Sequence, residues 1–227
     1  MLLRPDGDTV LCIGQTSHAW ISGQMARAWA EPFEPHDEVC LAAEQHDVGM
    51  AEWDLSPTLN ADTGLPHSFT EMPIEAHAAL WLEGPRRLVT TSVYAAALVS
   101  LHGTRLYEMR ERTPAVEDFL ERQEEFRCSL GFGRDELEPA STLLWTWDYL
   151  SLAALLGWSG EVEGLTVDGA RVQPWPLRTP TLTVRCEARR LTRRFKDEAE
   201  MRSALAAAPV ERLVVTLTGE ASRSGER

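Results

Sequence analysis

The sequence predicts a mainly α-helical protein, in which a helical bundle precedes a small β-rich appendage at the C-terminal end. Up to about residue 158, apolar side chains recur at the three- and four-residue spacing of amphipathic helices. Beyond that point the sequence changes to alternating and β-branched runs, such as TLTVRCEARRLT and ERLVVTLTG, which are typical of strands. We therefore expect a helical domain over residues 1–158 and an α+β appendage over residues 159–227 with a disordered tail.

The first two predicted helices carry histidines on their apolar faces. After a short edge strand at residues 9–13, the first helix runs through HAWISGQMARAWA, where His18 begins the apolar stripe. The second helix covers about residues 37–49 and directs His46 toward the core. Asp47 lies about 100° further round the same helix. The two side chains therefore reach one metal ion only where the helix approaches that ion closely.

The middle of the chain adds a long loop and four further helices. The loop at residues 54–69 is rich in Pro, Gly, Asn and Asp, and loops of this length are often functional. The helices are expected at residues 73–82 with a stop at Gly84-Pro85, at residues 91–110, from Thr113-Pro114 onward, and at residues 141–157. Three of them carry His77, His102 and Asp148. Asp148 is unexpected at its position, because the apolar sequence around it predicts a fully buried helix.

Composition excludes several classes of partner. The net charge is −13, from 22 basic and 35 acidic residues, so we expect neither a nucleic-acid polymer nor an anionic membrane as a partner. The four cysteines show no CxxC spacing, which is typical of thiols in a reducing compartment. The N-terminal segment shows no secretory signal, and no transmembrane run is visible. We expect a cytoplasmic protein.

A metal site is the interpretation that explains several of these residues together. His18, His46, His102 and Asp148 each lie on the apolar stripe of a different predicted helix. A buried carboxylate without a partner is costly, so Asp148 needs either an arginine or a shared metal ion. Histidine and aspartate are good ligands for divalent metals.

The remaining histidines give weaker signals. The helix of His77 is short, and His36 lies in a polar linker typical of a solvated turn. His67, in the loop GLPHSF, either contacts a substrate or belongs to a lid without a chemical role.

The order of His18, His46-Asp47 and Asp148 resembles the metal-dependent phosphohydrolases of the HD-domain superfamily, and the helical part is expected to be HD-like. The phrases QTSHAWISGQMA, AAEQHDVGMAEWD, VSLHGTRL and WDYLSL also resemble a bacterial family known as a domain of unknown function, numbered 3891. The superfamily resemblance implies a first metal ion held by His18, His46, Asp47 and Asp148. It further implies a second ion at His77 and His102, with Asp47 bridging both ions and acting in catalysis.

The resemblance implies one or two divalent ions, of Mn, Fe, Zn, Ni or Mg, that activate a water molecule for attack on phosphorus. The expected function is hydrolysis of a small phosphorylated molecule or nucleotide by a phosphatase or phosphodiesterase. Arg105 could orient the phosphate or form a surface salt bridge, and His67 could contact the substrate. A di-iron oxygenase and a non-enzymatic ligand-binding module of the same fold stay open as alternatives, as does a homodimer.

Overall fold

The computed structural model describes residues 1–219, so the predicted disordered tail at 221–227 lies outside the described residues. The described α-helices are α1 (Gln15–Ala28), α2 (His36–Gln45), α3 (Ala51–Leu55), α4 (Ile74–Arg86), α5 (Val93–Glu108), α6 (Pro114–Ser129), α7 (Arg134–Leu156) and α8 (Glu198–Ala207). The strands are β1 (Leu2–Asp6), β2 (Thr9–Ile13), β3 (Leu59–Asn60), β4 (Leu65–Pro66), β5 (Ser159–Val162), β6 (Leu165–Asp168), β7 (Arg171–Gln173), β8 (Thr181–Leu191) and β9 (Val210–Thr218). Short 3₁₀ turns occupy Val48–Met50 and Phe69–Glu71.

The chain is a mixed α/β protein, and the expectation of a mainly α protein with a small β-rich appendage is wrong. Helices make up 52% of the described residues and strands 21%. Seven strands form one curled sheet in the order β1-β2-β8-β9-β7-β6-β5. The N-terminal hairpin therefore shares a sheet with the C-terminal strands, through pairs such as Ile13 with Ala188. The division of the chain at residue 158 stays a prediction.

Strand β2 lies inside the sheet and is buried on both of its faces. Leu11 and Ile13 pack into the main core with the helices. Val10 and Cys12 point the other way, into a smaller apolar cluster that includes residues of α8. A strand covered on both faces has a continuous apolar run. This explains the sequence TVLCI and shows that β2 is not the edge strand that we expected.

The helices that carry the candidate ligands pack closely because small residues line their contacts. A Cβ atom on Gly49 would collide with the backbone of Leu80 and lie 3.0 Å from Cα of Gly84. The 3₁₀ turn after α2 therefore packs directly against α4. Helix α4 continues through Gly84-Pro85 to Arg86, so the predicted stop at this pair is wrong. The close approach of Gly49 explains the glycine at position 84.

Helix α7 begins earlier than the sequence predicted. Gly133 is its N-cap in an extended conformation, and Asp135 and Glu136 occupy the first turn. Acidic side chains at that end interact favourably with the helix dipole, so residues 134–140, ahead of the predicted start at residue 141, are also helical. Within residues 1–219, no helix is both long enough and apolar enough to cross a membrane.

Candidate metal centre

Five of the candidate ligands converge in the interior between the helices. His18 lies on α1, His46 ends α2 and is followed by Asp47, His102 lies on α5, and Asp148 lies on α7. Each is at most 8% exposed. The structure thus brings together residues that are far apart in the sequence.

Three distances between polar atoms of this cluster match the spacing of ligands of a shared ion. His46 Nε2 lies 3.4 Å from Asp148 Oδ1 and 3.6 Å from Asp47 Oδ2. His102 Nε2 lies 3.4 Å from Asp148 Oδ2. Two ligand atoms that each lie about 2.1 Å from a tetrahedral ion are separated by roughly 3.4 Å. His18, His46 and Asp148 each offer an atom within 4.8 Å of the others and form a possible metal-binding triad.

The hydrogen bond that Nδ1 of His46 makes on the side away from the cluster determines which ring nitrogen presents a lone pair to the cluster. Nδ1 lies 2.9 Å from the carbonyl oxygen of Ala43, and a carbonyl can only accept. Nδ1 therefore donates, and in the neutral ring Nε2 carries a lone pair. Nε2 is buried and has no hydrogen-bond partner. The lone pair and the two carboxylates repel one another unless a metal ion or a proton lies between the nitrogen and the carboxylate oxygens.

The ring of His18 is also held by a hydrogen bond from its Nδ1. The Ser151 hydroxyl donates to the carbonyl oxygen of Asp148 at 2.8 Å, so it accepts a hydrogen bond from His18 Nδ1 at 2.9 Å. The opposite nitrogen, Nε2, lies 2.6 Å from Asp47 Oδ2. Metal-binding histidines commonly donate their second N–H to a carbonyl, carboxylate or water, which fixes the tautomer. His18 and His46 both have this arrangement.

The electrostatics of the cluster favour positive charge at its centre. Burial opposes a charge on His46, but Asp47 and Asp148 outweigh it and raise the pKa of His46 to about 9. Burial likewise disfavours the charged form of Asp148, yet His102 and His46 hold its pKa well below the usual range. The pKa of Asp47 is also lowered, by His46 and His18 against burial. The two carboxylates therefore favour a cation, either a proton or a metal ion, among these side chains.

His102 and His77 differ in how they are held. Burial lowers the pKa of His102, and neither of its ring nitrogens has a hydrogen-bond partner. His77 Nδ1 lies 2.8 Å from the Tyr107 hydroxyl, and burial together with Arg110 lowers the pKa of His77 to about 4. His77 lies in the wall of the same cavity as the other ligands, and its described polar contact is with Tyr107 rather than with either carboxylate.

A cavity of about 120 Å³ contains all six predicted ligands. Its other lining residues are Gln15, Phe69, Thr70, Trp81, Leu106, Arg110 and Leu152. Larger clefts lie elsewhere, such as one of about 300 Å³ beside Asp54 and one of about 670 Å³ beside Trp20. Neither contains a histidine, so the smaller cavity is the one with metal-binding chemistry.

The two residues predicted to contact substrate do not line this cavity. Arg105 lies over the Trp145 ring and contacts Glu163 and the hydroxyl groups of α7. The ring of His67 bonds to Thr58.

Neighbouring residues line the cavity in their place, namely Arg110 near the end of α5, and Phe69 and Thr70 beyond His67. Leu106 lies four residues after His102 on the same face of α5, and Arg110 follows two residues after the end of that helix. Helical spacing alone would not have selected Arg110, because Arg105 is also one turn beyond His102.

Comparison with known proteins identifies the family. A family model described as "Protein of unknown function (DUF3891)" matches residues 1–193. The chain belongs to this family. The matched residues contain every candidate ligand and the whole lining of the cavity, whereas α8 and β9 follow them. Searches of the curated proteins and of the solved structures gave no match.

Proposed function

We propose that this protein is a metal-dependent phosphohydrolase of the HD-domain type that acts on a small phosphorylated molecule. The observation that carries the proposal is the convergence of imidazole nitrogens and carboxylates from separate helices in one buried cavity. His46 Nε2 is the clearest case, because it is buried, unpartnered and within 3.6 Å of both carboxylates. A divalent ion satisfies these atoms together, whereas a proton satisfies them one at a time.

The donor set fits such an ion. His18, His46, Asp47 and Asp148 supply nitrogen and oxygen ligands, which suit Zn, Mn, Fe, Ni and, through the carboxylates, Mg. His102, which lies 3.4 Å from Asp148, and His77 extend the set toward a second ion. When bound, a divalent ion would supply a water molecule of lowered pKa and a positive charge for the phosphoryl oxygens.

The residues around the ligands supply the other parts of a hydrolytic site. The Arg110 guanidinium is planar and always charged, which suits contact with a phosphate group. Trp81, Phe69 and Leu106 form apolar walls that limit bulk water. In the reaction a bond forms between the water oxygen and phosphorus, and the bond from phosphorus to the ester oxygen breaks. Asp47 takes a proton from the water and returns it to the leaving oxygen.

The test combines metal analysis with turnover. Protein purified without added metal is analysed for its elements and then assayed with phosphomonoesters and phosphodiesters in the presence of each candidate ion. Asp47→Ala should lose the metal and lower kcat/KM by at least about 10³, which corresponds to about 4 kcal/mol, while helical content is preserved. Asp62→Ala is the matched control, because Asp62 is exposed and does not line the cavity. Undiminished metal content in Asp47→Ala would refute the ligand assignment.

A di-iron oxygenase is the second candidate, because His77 and His102 line the same cavity as the first four ligands and provide a six-residue set. It predicts two iron ions per chain, a mixed-valence signal in electron paramagnetic resonance, and oxygen consumption with a small organic substrate. These results without phosphatase activity would replace the hydrolase proposal. A non-enzymatic module of the same fold predicts metal or ligand binding with no turnover in either assay.

A further inference from the structure

The side chain of Gln15 contains a buried polar atom that the ligand cluster does not explain. Gln15 is 5% exposed, and its Oε1 has no hydrogen-bond partner. It lies in the wall of the cavity that holds His18 and His46. A buried acceptor without a partner costs about 1–3 kcal/mol. The observation therefore points to a hydrogen-bond donor that enters the cavity.

The position of Gln15 is fixed by its backbone. It is the first residue of α1, and its N–H donates to Asp54 Oδ2 at 2.5 Å. Residues three apart lie on the same helix face, so Gln15 and His18 face the same side of α1. The amide group is consequently held beside the candidate ligands.

No donor among the described residues lies at hydrogen-bond distance from Gln15 Oε1. The Nδ1–H groups of His18 and His46 are already used by Ser151 and Ala43. Ionised carboxylates only accept hydrogen bonds. The donor is therefore a molecule in the cavity, and a volume of about 120 Å³ has room for several waters.

We propose that Gln15 Oε1 accepts a hydrogen bond from the water that attacks phosphorus, and that it thereby orients this water. The inference rests on the proposed hydrolase function. Of the two hydrogens of the water, one points to Gln15 and the other moves to Asp47 as the new bond to phosphorus forms. Gln15 stays neutral throughout. Glutamine side chains orient attacking waters in other phosphoryl-transfer enzymes.

The variant Gln15→Met tests the proposal, because methionine has nearly the same shape but lacks the amide. In the metal-loaded protein, kcat should fall about tenfold to a hundredfold, the equivalent of one lost hydrogen bond. Metal stoichiometry and the affinity for inorganic phosphate, measured by calorimetry, should stay unchanged. Gln15→Glu, which keeps an acceptor, should retain more of kcat than Gln15→Met.

Gln24→Met is the matched control on the same helix. The amide of Gln24 donates to the carbonyl oxygen of Arg185 at 2.8 Å and accepts from its N–H at 3.1 Å, outside the cavity. The kcat of Gln24→Met should match that of the wild type. Weakened phosphate affinity with unchanged kcat in Gln15→Met would overturn the proposal, as would an equal loss of kcat in Gln24→Met.

A crystal structure of the metal-loaded wild type gives a readout that does not depend on turnover. We expect an ordered water about 2.6–3.2 Å from Gln15 Oε1. A protein group in that place would overturn the inference. If the wild type hydrolyses no phosphate ester, the proposed function fails. If the wild type turns over and Gln15→Met matches it, only the role of Gln15 fails.

Discussion

Two buried polar clusters lie between the helices of this protein, and they differ in whether their polar atoms have hydrogen-bond partners within the protein. The first is the set of candidate ligands around His46 and Asp148. The second joins α5, α6 and α4 through Ser100, Gln123 and Arg127, all at most 5% exposed. Buried polar groups are normally hydrogen-bonded, so the cluster that departs from this rule is the one that calls for an explanation.

The second cluster is complete within the protein. The Ser100 hydroxyl donates to Gln123 Oε1 at 2.5 Å, and Gln123 Nε2 donates to the carbonyl oxygen of Trp81 at 3.0 Å. Arg127 Nη1 donates to Thr104 Oγ1 at 2.7 Å. No atom of these four interacting side chains is among the buried unpartnered atoms of the described residues.

By contrast, His46 Nε2 and both ring nitrogens of His102 are unpartnered, and Gln15 Oε1 is unpartnered beside them. The two clusters are of similar depth, so burial alone does not distinguish them. What distinguishes them is the unpartnered nitrogen and oxygen atoms of the first cluster, which a bound ion or molecule would satisfy. The following changes test that difference.

The largest effect is expected from Asp148→Asn, which removes a charged ligand while keeping the shape of the side chain. For the wild type, a free metal concentration of 100 Kd should add about 2.7 kcal/mol of stability. This raises the unfolding midpoint by roughly 5–10 °C for a chain of this size. Thermal unfolding with and without metal should show this shift in the wild type and its loss in Asp148→Asn. A variant that keeps the shift and is more stable than the wild type would favour a structural role for Asp148.

A smaller effect is expected from Ser151→Ala, with Ser100→Ala as its counterpart in the complete cluster. Both serines are fully buried. Ser151 orients His18, and loss of such an outer partner typically weakens metal binding about 10–100-fold. Ser100→Ala should lower the free energy of unfolding by about 1–3 kcal/mol, because it leaves Gln123 and Arg127 with fewer partners. Metal titration and urea unfolding of both variants separate the two roles. Equal metal affinity in the two variants would contradict the distinction.

The smallest effect is expected at the cavity wall. Arg110→Ala should raise KM for a phosphorylated substrate about tenfold, since a hydrogen bond to a charged group contributes about 1.5–3 kcal/mol. Arg105→Ala should leave KM unchanged, because Arg105 contacts Glu163 and Trp145 outside the cavity. Steady-state kinetics of both variants provide the measurement. The reverse result would restore the assignment of Arg105 that the sequence suggested.

The helices were largely predictable from the sequence, whereas the sheet was not. The Thr113-Pro114 start of α6 is a local signal, in which the Thr113 side chain accepts a hydrogen bond from Val116 N. The sheet depends instead on pairing between distant segments, such as Cys12 with Arg189. Strand β1 contains Arg4 and Pro5 and has no strong strand pattern of its own. Local periodicity cannot reveal a strand that is specified by its partners.

The candidate site was likewise predictable from the sequence only in part. The apolar stripes placed His18, His46, His102 and Asp148 on inward faces, and the structure brings these residues together. Arg105 does not line the cavity, whereas Arg110 does, and contact of Arg105 with a substrate stays a prediction. Gln15 was overlooked because a polar residue at a helix start is usually solvated, whereas here Asp54 caps the backbone and the side chain turns inward.

The most direct test of the account is the metal content of the protein. Elemental analysis after purification without added metal, followed by calorimetric titration of the stripped protein, measures it. The account predicts at least one divalent ion per chain, bound by nitrogen and oxygen ligands, and loss of that ion in Asp148→Asn but not in Ser100→Ala. A stripped wild-type protein that binds no divalent ion in the titration would contradict it.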